Sequence, residues 1–153
     1  YNVRRAPCVH FVGEQSYIYS AVPADSALLA LKSVQRTFWK TRRLPAPQFV
    51  ETGFDNAELH VTPHVLAFSG RRIAMPVGWL PKQHNGNPLP IDALIVTADF
   101  RGTLTHALAF YRPRLVVLHS SLSQRRAELF AREAEAAGIE AFDVAHRGAF
   151  ILR

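Results

Sequence analysis

Asp92-Ala93-Leu94-Ile95-Val96-Thr97-Ala98-Asp99 and, a short stretch later, Arg112-Pro113-Arg114-Leu115-Val116-Val117-Leu118 decide how this chain is built. Residues 93–97, apolar up to Thr97, and the apolar run 115–118 have the pattern of strands buried on both faces. Residues 102–111 between them suit one short helix. Strand, helix, strand is a βαβ unit, which lays its two strands parallel. Ser121-Leu122-Ser123-Gln124 reads as a capping box, opening a helix that ends at Gly138. Ala141-Phe142-Asp143-Val144 and Ala149-Phe150-Ile151-Leu152 read as a terminal hairpin around Arg147-Gly148.

Upstream the pattern changes. Cys8-Val9-His10-Phe11-Val12 and Ser16-Tyr17-Ile18-Tyr19-Ser20 are β-favouring runs joined at Gly13-Glu14-Gln15, a first hairpin. Pro23-Ala24-Asp25-Ser26 predicts a helix start. Ala27, Leu28, Leu31, Val34, Phe38 and Trp39 then form a core-facing arc as far as about Lys40. Gln48-Phe49-Val50-Glu51 suits a short strand. Leu59-His60-Val61 and residues 64–68 are strand-like, and the latter turns at Ser69-Gly70-Arg71 into residues 72–75, a second hairpin. Residues 78–90, with Asn85-Gly86-Asn87-Pro88, read as a long irregular loop. Hairpins first and βαβ units second predict an α/β layered fold with a mixed sheet.

The chain has 153 residues, which fits a single domain over 1–153. Hydrophobic residues make up 48% and charged residues 20%, an ordinary globular balance. No apolar run approaches the roughly 20 residues that cross a bilayer. Tyr1-Asn2-Val3-Arg4-Arg5 has no signal-peptide pattern, and the expectation is a domain excised from a longer protein. The lone cysteine, Cys8, builds neither a disulfide framework nor a cysteine zinc site. A formal net charge of +6 permits nucleic acid or an anionic membrane as partner.

Lys32, Arg36, Lys40 and Arg43 fall at helical intervals, a basic stripe beside the apolar arc. Arg4-Arg5, Arg42-Arg43 and Arg71-Arg72 add paired charges. Such a stripe is commonly the solvated face of a helix. As a functional surface it would contact phosphates without regard to sequence, in a salt-sensitive way. His60 and His64 have a spacing that suits zinc on a helix, but Pro63 and the β-favouring neighbours argue against one there. Asp99 and His119 each follow a buried strand, at the carboxyl ends where α/β proteins often place ligands. With Ser120 and Ser121 they would form a polar crevice. The plainer reading is helix capping by the serines and solvated ends for the others.

The order of these motifs resembles the C-terminal metallo-β-lactamase-like domain of ComEC DNA-uptake proteins. In that family a D-V-L-K-V-P strand ends in H-H-G. An R-P-K or R-P-R turn, a helix ending in A-G-I and a D-G-A hairpin follow. Here the matching text is residues 92–99, Arg112-Pro113-Arg114, Ala137-Gly138-Ile139 and Arg147-Gly148-Ala149-Phe150. Tyr1 to Phe11, Tyr17-Ile18-Tyr19-Ser20-Ala21 and the hairpin from His64 to Val77 match the family's opening and middle in a shortened form. The resemblance implies a reduced metallo-β-lactamase-like layered fold. It also implies a soluble domain of a bacterial inner-membrane protein, on the periplasmic side in preference to the cytoplasmic. Implied partners are single-stranded DNA, the transmembrane channel part of the same polypeptide and other DNA-uptake proteins.

The departures bear on activity. Metal-assisted hydrolysis needs ligands that hold the ions and acidify bound water, and no H-x-H-x-D-H occurs here. The H-H-G step is Ala98-Asp99-Phe100, the bridging-Asp position falls near Val77-Gly78, and the last histidine loop is His119-Ser120-Ser121. The expectation is a domain with no metal, no cofactor and no catalytic residue that contacts DNA during uptake. Alternatives are a hydrolase rebuilt near Asp99 and His119, or a structural protein-interaction domain.

Overall fold

The computed structural model describes residues 7–21 and 46–152. The helix expected from about Asp25 to Lys40, with its basic stripe, lies outside the described residues.

Two sheets form the frame. The first has the order β1-β2-β3, built from β1 (Cys8–Val12), β2 (Ser16–Ser20) and β3 (Gln48–Val50). β1 and β2 are the first expected hairpin, with Val12 opposite Ser16, and its three-residue loop closes through Gly13 N–H donating to Gln15 O. β3 pairs parallel to β2, Tyr17 beside Gln48. The second sheet has six strands in the order β4-β5-β6-β7-β8-β9. These are β4 (Leu59–Val61), β5 (Val65–Phe68), β6 (Arg71–Ala74), β7 (Leu89–Val96), β8 (Tyr111–Leu118) and β9 (Glu140–Asp143). β4, β5 and β6 are antiparallel, and β6 through β9 are parallel. The class is therefore α/β with a mixed sheet, as expected.

Period-two alternation sorts the side chains into layers. Phe11, Tyr17, Tyr19 and Val50 of the first sheet pack on Leu59, Val61, Leu66 and Ile73 of the second. On the opposite face of the second sheet, Leu94, Val96, Val116 and Leu118 meet α1 (Leu104–Phe110) and α2 (Gln124–Ala136). Phe130 and Ala134 of α2 are fully buried there, and the Phe130 ring lies 6.3 Å from that of Phe100. The helix ends follow local chemistry. Thr103 Oγ1 accepts from His106 N–H, and the Glu133 carboxylate of α2 accepts from Leu104 N–H at 2.7 Å, so each supports a free amide of the first turn of α1. Gly138, at φ 70°, closes α2 while Ile139 N–H reaches back to Ala134 O.

Three expectations change. The capping residue of α2 is Ser123, whose hydroxyl accepts from Arg126 N–H, and not Ser121, which binds elsewhere. Arg112-Pro113-Arg114 lies inside β8 and not in a turn before it. Pro113 is tolerated because β9 pairs with β8 only from Leu115 onward, leaving that flank without a donor to lose. Nor is there a terminal hairpin among the described residues. β9 lies parallel to β8, and the Asp143 carboxylate accepts from Ala145 N–H, starting α3 (Val144–Arg147). Phe150 then folds onto Phe142 at a ring distance of 5.0 Å without forming a strand.

Candidate nucleic-acid interface

Because β6, β7 and β8 run parallel in register, their starting residues come together at one edge. Arg71 and Arg72 open β6, Pro90 and Asp92 lie early in β7, and Arg112 and Arg114 lie early in β8. Asp92 sits in the middle. Its carboxylate accepts from Arg72 backbone N–H at 2.9 Å and from Arg71 Nη1 at 3.1 Å, with Arg114 Nη1 at 3.8 Å. The Arg72 amide hydrogen bond is the largest influence on the carboxyl and lowers its pKa; burial opposes it, and the Arg71 hydrogen bond and the Arg71 and Arg114 charges add to the lowering, so the carboxyl lies below its ordinary range. The guanidiniums of Arg71 and Arg114 point at this one carboxylate, and Arg72 and Arg112 line the same surface, so the site stays positive. All four arginines are exposed, and the side chain of Arg114 is 80% accessible. Arg72 and Arg112 form no ion pair among the described residues. Gly70, Pro90, Ile91 and Pro113 complete a concave surface with them.

Sequence reasoning found Arg71 and Arg72 and missed Arg112 and Arg114, which only the β7–β8 register brings beside them. Arg4, Arg5, Lys32, Arg36, Lys40 and Arg43 lie outside the described residues.

The carboxyl ends of the same strands look different. His119 and Ser120 are buried, and Ser121 is half-buried. Ser121 N–H donates to His119 Nδ1 at 3.0 Å, and Ser121 Oγ lies 3.0 Å from the same nitrogen. That makes Nδ1 an acceptor and leaves the proton of a neutral ring on Nε2. Ser121 Oγ also accepts from Ala98 N–H at 3.0 Å, tying the end of β7 to the loop after β8. Arg126 Nη1 donates to Ala98 O and Arg126 Nη2 to Phe100 O. Asp99 is exposed, and its carboxylate has no partner among the described residues. Of the expected crevice, His119 and Ser121 come together, Ser120 Oγ is buried with no hydrogen bond among the described residues, and Asp99 stands apart.

The other histidines do local work. Burial lowers the His10 imidazole to about 4, so it is neutral at pH 7, and its Nε2 lies 2.6 Å from Ser16 Oγ. His60 pairs with Asp55, His146 pairs with Asp143, and His106 Nε2 binds Pro81 O. His60 lies in β4, away from any helix. Among the described residues no three His, Cys, Asp or Glu side chains gather as ligands for a metal ion. A cavity of about 370 Å³ lies between β1 and the face of β6–β8, lined by Cys8, Phe11, Met75, Ile95, Val117 and His119 among others. Burial there raises the Cys8 thiol above its ordinary pKa, which disfavours the reactive thiolate.

The family model of the ComEC C-terminal domain matches residues 1–153. The chain belongs to that family. No curated protein and no solved structure matches it. Membership ties this ComEC C-terminal domain to DNA uptake in competence. No described helix is long and apolar enough to cross a membrane.

Proposed function

We propose that this ComEC C-terminal domain is a non-catalytic module that holds DNA by its phosphodiester backbone at the amino edge of the parallel strands. In this reading the chain is one reduced metallo-β-lactamase-like domain, 1–153, of a larger membrane protein. It works without metal or cofactor beside the channel part of the same polypeptide.

The observation that carries the reading is the convergence of Arg71, Arg72, Arg112 and Arg114 around a single carboxylate. Guanidiniums present several donors in a fork that matches phosphate oxygens. Asp92 holds Arg71 in place but leaves Arg72 and Arg112 to meet an outside anion. Backbone contacts of this kind carry no sequence information and weaken steeply with salt.

The test is binding of labelled DNA of arbitrary sequence across a salt series. The expected result is weak binding whose salt dependence is shallower in R72E/R112E. Equal binding by that variant and the unaltered chain would remove the reading and favour a protein-interaction role.

A second reading, a hydrolase using Ser121 and His119, has the 3.0 Å contact in its favour. A serine nucleophile also needs its histidine oriented by a third group, and Asp99 does not supply one. Hydrolysis of generic ester substrates that disappears in Ser121→Ala would support it.

A further inference from the structure

Trp79 is 71% exposed, the most accessible of the large hydrophobic side chains described. Its backbone is nonetheless held firmly. The preceding residue, Gly78, forms a parallel bridge with Phe100, donates its N–H to Asp99 O at 2.8 Å and accepts from Arg101 N–H at 2.9 Å. The following residue, Leu80, is buried in the core under α1. Gly78 adopts φ 69°, a left-handed turn that other residues enter at a cost. The indole is therefore presented from two anchored neighbours and not carried on a loose loop. Its ring makes no aromatic or cation contact among the described residues.

Two exposed cations belong to the same two segments. The two chain segments leave the Gly78–Phe100 bridge in parallel, so the residues after it, Trp79 and Arg101, emerge side by side. Arg101 and Lys82 are both exposed. Asp99 precedes the bridge and disfavours an anion on that side, which leaves Arg101 and Lys82 as the phosphate partners. A free indole with Arg101 on the neighbouring segment and Lys82 three residues on fits a flat heterocycle joined to a phosphate. In a duplex the base faces are covered by their stacked neighbours, so the heterocycle must be unpaired.

We infer that Trp79, with Arg101 and Lys82, is a stacking platform for one unpaired nucleobase and its adjoining phosphate. The platform lies at the carboxyl edge of the strands, away from the arginine cluster. It deepens the DNA-holding reading and rests on it, because it selects single strands where the arginines accept any phosphate backbone. Stacking on an aromatic ring tolerates every base, so no sequence preference is expected.

The experiment compares the unaltered chain, W79A, W79F, W79L and R72E/R112E, each checked for folding by circular dichroism. Each is titrated into an oligothymidylate, a blunt-ended duplex and phosphatidylglycerol vesicles. W79A and W79L are expected to lose about tenfold in affinity for the oligothymidylate, W79F to retain most of it, and all three to keep duplex binding. Tryptophan emission should quench with the oligothymidylate and not with the duplex. Three outcomes would overturn the inference. They are unchanged single-strand affinity in W79A, an equal loss for duplex, or a loss confined to vesicles, which would make Trp79 a membrane contact. If R72E/R112E loses affinity while W79A does not, only the platform fails. If the unaltered chain binds neither DNA, the DNA-holding reading fails and the platform with it.

Discussion

The two ends of strands β6, β7 and β8 have been put to opposite uses. At the amino edge four arginines stand in solvent around Asp92, and little there is buried. At the carboxyl edge most polar groups are spent on the protein itself: Ser121 on Ala98, His119 on Ser121, Arg126 on two carbonyls. Parallel α/β sheets usually receive ligands at the carboxyl ends of their strands. Here hydrogen bonds among Ala98, His119, Ser121 and Arg126 close the loops over the core, and the arginine cluster lies at the other end. Groups that satisfy the protein's own donors and acceptors add rigidity and are no longer free to bind. An edge with surplus like charge holds it at some electrostatic cost and keeps that capacity.

The difference can be broken from either side. Phe130→Ala removes the ring beneath the carboxyl-edge loops and should cost about 3–5 kcal/mol of stability, read as a fall in denaturant midpoint. Duplex affinity of the fraction that remains folded, which rests on the arginines, should not change. R72E/R112E is the converse. Its unfolding midpoint should stay close to that of the unaltered chain, while DNA affinity drops at least about tenfold and the salt slope falls by about one per lost phosphate contact. Ser121→Ala leaves Ala98 N–H without its acceptor and should cost about 1 kcal/mol. Amide exchange at Ala98 should quicken with no effect at the arginines.

The smallest effect is expected at Asp92. Its folded-state pKa lies below the ordinary value of 3.8, so the unfolded chain takes up this proton first as the solution is acidified. The stability it adds is full above the unfolded value and is lost as pH falls through the folded one. Asp92→Asn should therefore flatten the acid limb of the stability–pH curve slightly, and raise DNA affinity by removing the carboxylate that competes for Arg71.

What the sequence revealed was whatever short-range patterning controls. The β1–β2 hairpin, the hairpin of β5 and β6 and the alternation of β7, α1, β8 and α2 were all legible, because period and turn residues are local. The end of the chain was misread because residues 141–144 and 149–152 are both β-favouring. The Asp143 side chain starts a helical turn between them, and Phe150 finds Phe142 without pairing. Arg112 and Arg114 were quoted only as parts of a turn, since a parallel register spanning a whole helix sets what lies beside them. Asp99 was grouped with His119 from its place after a strand, but a turn from Thr97 to Phe100 carries its carboxylate outward. The exposure of Trp79 depends on the Gly78–Phe100 bridge, which no local pattern announces.

Strand order in the larger sheet repeats strand order in the chain, from β4 to β9 without a crossing. Each strand can dock beside the one made just before it, so the search for partners is short and the loop-closure entropy modest. The smaller sheet keeps the same order, but β3 reaches β2 only across the long stretch of chain between Ser20 and Gln48, so closing that loop costs more. The six-stranded unit is thus placed to form first and to serve as the template on which β1–β3 assemble. In native-state hydrogen exchange, the amides of β1–β3 should open at lower free energy than those of β7 and β8.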